Sequence, residues 1–198
     1  MPKPVVITKQ MIDDAAIAVV KESGFAILTA RNIALRLNCS TQPIYKSYEN
    51  MDELKESTIA TLANYMMKSI VKYRKTGCAY LDSGLGYINF ARMEKVLFQL
   101  FCFANENHSL LKSDMGNEVI RKLMEQELFG LTLSKVKKDK IFLQTMVFTH
   151  GLAVLAFGGQ LEMGENETAE LLQETFEGFV NQEMGEKNHE YSCSWGKS

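Results

Sequence analysis

Apolar residues recur along this chain at helical spacing over most of its length. Ile12, Ala15, Ala16 and Val19 share one face of a stretch that Thr8 opens and Gly24 closes. That is the pattern of an amphipathic helix with a hydroxyl N-cap and a glycine stop. Phe25 and Leu28 are expected to pack beneath it. Ala30, Ile33, Ala34 and Leu37 repeat the i, i+3, i+4, i+7 spacing behind a capping Thr29. Asn38-Cys39-Ser40 then breaks the pattern. Ser40 is placed to cap a short third helix, with Pro43 in its first turn, where a missing N–H costs little. This helix opens on polar side chains, Thr41, Gln42, Tyr45 and Lys46, and only Ile44 and Tyr48 are suited to anchor it to a core.

After Tyr48, Asn50 or Asp52 caps a long helix to about Arg74, with Leu62, Tyr65, Met66, Ile70 and Tyr73 on its stripe. Gly77 ends it. The spacing predicts further helices over 80–92, 118–129, 141–157 and 166–184. Strand-like alternation is scarce and there are three prolines, so the expected fold class is all-α. The segment 141–157 is the most apolar. A bilayer span needs about 20 apolar residues, and this one is shorter and interrupted by Gln144, Thr145, Thr149 and His150, so no membrane partner is expected. A helix apolar nearly all round must be covered on more than one side. Leu171, Leu172, Phe176, Phe179 and Val180 form a second broad stripe. Two such helices from each of two chains would make a four-helix interface about a twofold axis. A monomeric core is the other reading.

Composition changes this picture little. The chain has 198 residues and a net charge of −2. Residues 1–50 carry six Lys/Arg and four Asp/Glu, and the remainder 16 and 20. A slightly basic head on an acidic body suits nucleic-acid contact at the head alone. The four cysteines are widely spaced, without C-x-x-C or a Cys/His cluster of zinc spacing. Reduced thiols, no metal and a cytoplasmic location are expected, the last also because the N-terminus has no apolar signal core. His108, His150 and His189 fall into no nucleophile–base arrangement and no glycine-rich phosphate loop is present. No catalytic residue, no cofactor and no enzyme activity are expected. His150 is expected to be a hydrogen-bonded core residue, and the basic run Lys135-Val136-Lys137-Lys138 a solvated helix end.

The chemistry lies in the helical pair at 30–48. A short helix with a polar face, held on a small apolar helix, presents side chains to the DNA major groove. An ordinary helical hairpin is the alternative. Gln42 can pair bidentately with adenine, and Thr41 or Pro43 can touch a thymine methyl. Tyr45 and Lys46 suit phosphates, which position the helix without specifying bases. Thr29, with the amides behind it, suits a phosphate as well. Arg31 either reaches a phosphate or pairs with an acid. Ser40 lies at the helix start, and Tyr48 is mainly a core anchor.

Residues 12–54 resemble the DNA-binding head of the TetR family of transcriptional regulators. The residues that carry the resemblance are Ile12, Ala15-Ala16, Gly24, Leu28-Thr29, Arg31, Ile33-Ala34, Ser40, Ile44-Tyr45, Tyr48 and Asp52-Glu53-Leu54. The family more often has Leu-Tyr at Ile44-Tyr45, Phe at Tyr48, Gly-Val at Asn38-Cys39 and Lys at Met51. A phosphate contact from the fourth helix then falls to Lys55. Tyr87-Ile88, Phe90-Ala91, Leu97-Phe98 and Leu100-Phe101 resemble the middle of the family's regulatory domains.

The resemblance implies a three-helix helix-turn-helix head over 1–51, a helical-bundle regulatory and dimerisation domain over 52–185, and a tail, 186–198, whose polar aperiodic sequence is expected to be disordered. It implies a homodimer through the last two helices and a near-palindromic double-stranded DNA operator. The expected function is a sequence-specific repressor released by a small, largely apolar ligand. Phe90, Met93, Phe98, Phe101, Met124 and Phe148 are the candidate ligand-lining residues. The alternative is a non-enzymatic helical module whose hairpin binds a protein partner.

Overall fold

The structure, a computed structural model, describes residues 6–103, 114–185 and 191–192. Among these it has nine α-helices, one 3-10 turn and no strand. The helices are α1 (Lys9–Ser23), α2 (Ala30–Arg36), α3 (Gln42–Ser47), α4 (Met51–Lys72), α5 (Ala79–Met93), α6 (Lys95–Phe103), α7 (Asp114–Glu127), α8 (Lys135–Phe157) and α9 (Glu165–Met184), with the 3-10 turn at Phe25–Ile27. The all-α expectation holds. The expected loop at 105–109, His108, His189, Cys193 and Trp195 lie outside the described residues.

The chain forms two units, one from the residues up to Tyr65 with α6, the other from Met66–Lys95 and the chain from α7 onward. In the first, α1 packs on the 3-10 turn, α2 and α3. Its core is built from the stripes seen in sequence: Ile12, Ala15, Ala16, Val19, Leu28, Ile33, Ala34 and Ile44 are all buried, and Val20 joins them. Thr8 and Thr29 cap as expected, their hydroxyls accepting from Met11 N at 3.3 Å and Asn32 N at 3.2 Å. Asn50 caps α4, its Oδ1 accepting from the amides of Asp52 and Glu53, each at 2.9 Å. Glu22 and Arg36 join α1 to α2 with two bonds of 2.7 Å. That pairing holds the exposed Glu22 carboxyl below its ordinary range.

In the second unit α5 is central, packed against α8, α9 and α7. Asp82, in its first turn, is fully buried. Its Oδ1 accepts from Lys75 N, Thr76 N and the Thr76 hydroxyl at 3.0, 2.7 and 2.9 Å, which folds the preceding loop onto the helix. Burial also pushes the Tyr80 phenol well up from its ordinary value, and its ring meets Phe176 of α9 at 4.9 Å. Glu183 of α9, only 9% exposed, receives Lys140 of α8, while Lys137 donates to its carbonyl. Within the stretch expected to be disordered, Tyr191 is held. Its amide donates to Asn181 Oδ1 at 2.7 Å and its hydroxyl to Glu127 at 3.1 Å.

Two elements differ from expectation. α6 is a separate helix because Glu94, at φ −114 and ψ 54, leaves helical geometry between α5 and α6, a break that no Gly or Pro announces. α8 begins at Lys135 rather than at 141, capped by Ser134, so the lysine run forms the N-terminal end of this helix. At 23 residues α8 is, among the described residues, long and apolar enough to cross a bilayer by length and composition. Its apolar exposure is one-sided, however. Ile141, Phe142, Thr145, Thr149, Leu152, Ala153 and Ala156 are buried, whereas Leu143, Val147 and Leu155 form, with Gly151, an outward ridge at i+4 spacing.

Candidate nucleic-acid interface

The site is assembled around the turn between α2 and α3. Asn38 has φ 51, in the left-handed region that Asn tolerates better than other non-glycine residues. The turn closes as a Schellman motif. Cys39 N donates to Ala34 O at 3.0 Å and Asn38 N to Leu35 O at 3.2 Å. Asparagine therefore does here what glycine does more often.

That closure changes the start of α3. Ser40 is not its N-cap. With Asn38 and Cys39 used to end α2, Ser40 is a linker and Thr41 stands at the cap position. Thr41 has helical dihedrals, φ −74 and ψ −12, and makes no side-chain cap bond. Its carbonyl takes the amides of Ile44 and Tyr45 at 3.1 and 3.3 Å. Pro43 falls in the first turn, as expected.

α3 divides cleanly. Ile44 is fully buried and Tyr48, which ends the helix, is 3% exposed. Thr41, Gln42, Tyr45 and Lys46 are all exposed, and Pro43 is half-buried beside them. The structure thus brings four candidate residues onto one polar face. Ser40, Thr29 and Arg31 are exposed as well. Lys55, half-buried in the first turns of α4, lies 3.9 Å from Asp52.

Tyr48 stands apart from the other candidates. Its burial withholds it from a ligand surface, so its place among DNA-contacting residues is corrected to that of an internal tie. Its hydroxyl donates to Asp13 Oδ1 of α1 and reaches Ser57 Oγ of α4 at 3.5 Å. Lys9 Nζ lies 4.4 Å from the ring centroid. Burial, then the acceptor Asp13, raises the phenol above its ordinary value and keeps it a donor. Asp13, Lys9 and Ser57 carry no local sequence signal for this role, since 35 residues separate Asp13 from Tyr48.

The candidate ligand residues are divided between the two units. Phe98 and Phe101 are fully buried in the first unit. Phe90 and Met124 are buried in the second, with Phe148 half-buried, and Met93 is 75% exposed. A cleft of about 540 Å³ in the second unit is lined by Arg121, Glu125, Leu133, Lys135, Lys138 and Asp139, none of them a candidate. His150 is half-buried and bonded to the Tyr87 hydroxyl through Nδ1 at 2.9 Å. Among the described residues no group of three or more His, Cys, Asp or Glu is placed to hold a metal.

No protein-family model matches this chain, and no curated protein does. Solved structures do. A TetR-like transcriptional regulator from Rhodococcus sp. RHA1 aligns with a TM-score of 0.60 at 18% identity, covering 90% of this chain and 98% of that one. A TetR variant from Acinetobacter baumannii AYE in complex with minocycline aligns with a TM-score of 0.56 at 12% identity, covering 93% and 99%. The likeness runs through both units, and the fold is that of these proteins.

Proposed function

We propose that this chain, which has the fold of TetR-like regulators, is a sequence-specific DNA-binding transcriptional regulator whose α3 enters the major groove. The observation that carries the reading is the division of α3. Two buried anchors, Ile44 and Tyr48, hold out a face of Thr41, Gln42, Tyr45 and Lys46 that the fold does not use internally. Gln42 is the base reader, able to pair with adenine, with Thr41 and Pro43 against thymine methyls. Tyr45, Lys46, Thr29, Arg31, Ser40 and Lys55 contact phosphates.

The outward ridge of α8 supports a homodimer through α8 and α9. Leu143, Val147 and Leu155 are 54, 60 and 40% exposed, an apolar line that a second copy would cover. A twofold dimer reads a near-palindromic operator, with half-sites about 34–36 Å apart. One protein of this fold holds minocycline, which favours a small-molecule effector here, and release of a repressor by such a ligand is the corresponding mode of action. Reciprocity then requires DNA to weaken the effector's binding by the same factor.

The test is a titration of the purified chain against duplex DNA at several salt concentrations. DNA reading predicts an affinity that falls steeply with salt, and a slope smaller by about one unit when Lys46 is replaced by Ala. A helical module that docks a protein partner predicts no salt-dependent DNA binding.

A further inference from the structure

We propose that Asp13 is a positioning residue for DNA reading, setting α3 through the phenol of Tyr48 rather than by touching DNA. The inference rests on the DNA-reading proposal above. α3 has six residues, of which Ile44 alone is buried, and Tyr48, buried as well, follows at its C-terminal end. Ile44 makes apolar contacts, which are non-directional and leave a short helix free to rotate or slide. Tyr48 supplies direction. Its hydroxyl donates to Asp13 of α1 and reaches Ser57 of α4 at 3.5 Å, and a hydrogen bond weakens steeply off its axis. Lys9, one turn before Asp13 on the same face of α1, lies over the ring at 4.4 Å, an attraction that fixes the ring's plane.

The phenol is thus gripped from the helix before the hairpin and from the helix after it. A bidentate contact to a base needs its side chain held within about 0.5 Å and 10–20°. A tie at the C-terminal end of α3 sets the angle at which Gln42, more than a turn away at the other end, meets a base. Phosphate contacts tolerate more displacement, so loss of the tie should erode preference before it erodes binding in general.

The experiment uses the full chain, with Tyr48→Phe, Asp13→Ala, Asp13→Asn and the double variant Tyr48→Phe/Asp13→Ala. Affinity for the preferred duplex and for a scrambled one is measured at one salt concentration, alongside Tm. Phe keeps the ring and its packing. Ala and Asn both remove the Asp13 charge, but only Asn keeps an acceptor, so their difference reads geometry and not charge. Tyr48→Phe and Asp13→Ala should each lose roughly tenfold for the preferred duplex and much less for the scrambled one. The double variant should be no worse than either alone, and Asp13→Asn should stay near the wild type. The proposal is overturned if Tyr48→Phe lowers Tm and leaves the preference unchanged, or if Asp13→Asn loses as much as Asp13→Ala. A wild-type chain with no preferred duplex would defeat the DNA-reading proposal itself, and this inference with it.

Discussion

Gly86 of α5 lies so close to the carbonyl oxygen of Ile70 that a Cβ on it would sit 2.6 Å from that oxygen and 2.9 Å from Tyr73 Cβ. α4 and α5 cross there backbone to backbone, and hydrogen is the largest side chain the crossing admits. Neither obstructing atom is the far end of a flexible side chain. Gly86→Ala must therefore push the helices apart, at about 1–3 kcal/mol. The urea midpoint should fall with an unchanged m-value, and an unchanged midpoint would mean the crossing is looser than described.

Asp82 gives a second stability prediction, with an internal control. Its Oδ1 serves three donors, whereas its buried Oδ2 has no hydrogen-bond partner among the described residues. Asp82→Ala strands the buried Thr76 amide, while the Thr76 hydroxyl keeps its bonds to Cys78, and should cost about 1–3 kcal/mol. Asp82→Asn keeps the serving oxygen and removes a buried charge, so it should cost much less. Equal losses in urea unfolding would show that the charge, and not the acceptor, holds the loop.

Much of this was legible in the sequence, and the reasons differ by element. The stripes of α1, α2 and α9 and the caps at Thr8 and Thr29 are local patterns, so spacing alone located them. Ser40 misled because cap preference depends on where the preceding helix ends, and Asn38 closes α2 with two residues that Ser40 then merely follows. α6 was hidden because Glu94 breaks the helix without a breaker residue. The first turn of α8 was hidden because three lysines at a helix N-terminus oppose the helix dipole, the reverse of the usual signal. One of the three, Lys137, donates to the Glu183 carbonyl, and Lys140, further along α8, reaches the Glu183 carboxylate. The tie between Asp13 and Tyr48 needed the fold, since nothing in either segment points to the other.

His150 predicts a pH dependence. Burial lowers its folded-state value below the ordinary 6.5. As pH falls below 6.5 the unfolded chain takes up a proton that the folded chain resists. The stability held by neutral His150 is therefore fully present above 6.5 and is lost as pH falls toward the folded value. Urea midpoints at pH 7.5 and 5.5 should differ more for the wild type than for His150→Gln. The same difference in both would assign the dependence to other groups.

The ridge on α8 predicts a dimer that one charge can split. Val147 is 60% exposed at its middle, so Val147→Glu should leave the helical content and Tm of the monomer fold nearly intact. Sedimentation at micromolar concentration should show a dimer for the wild type and a monomer for the variant. A wild-type monomer would leave the ridge without this occupant.

Whether α3 reads base sequence is decided by selection of bound duplexes from a random pool at physiological salt. A base-reading α3 enriches a twofold-symmetric site whose half-sites repeat over one helical turn. The same selection with Gln42→Ala then yields relaxed preference at one position in each half-site. Recovery of unenriched DNA by the wild type, with binding that ignores sequence or no binding at all, would contradict base reading by α3.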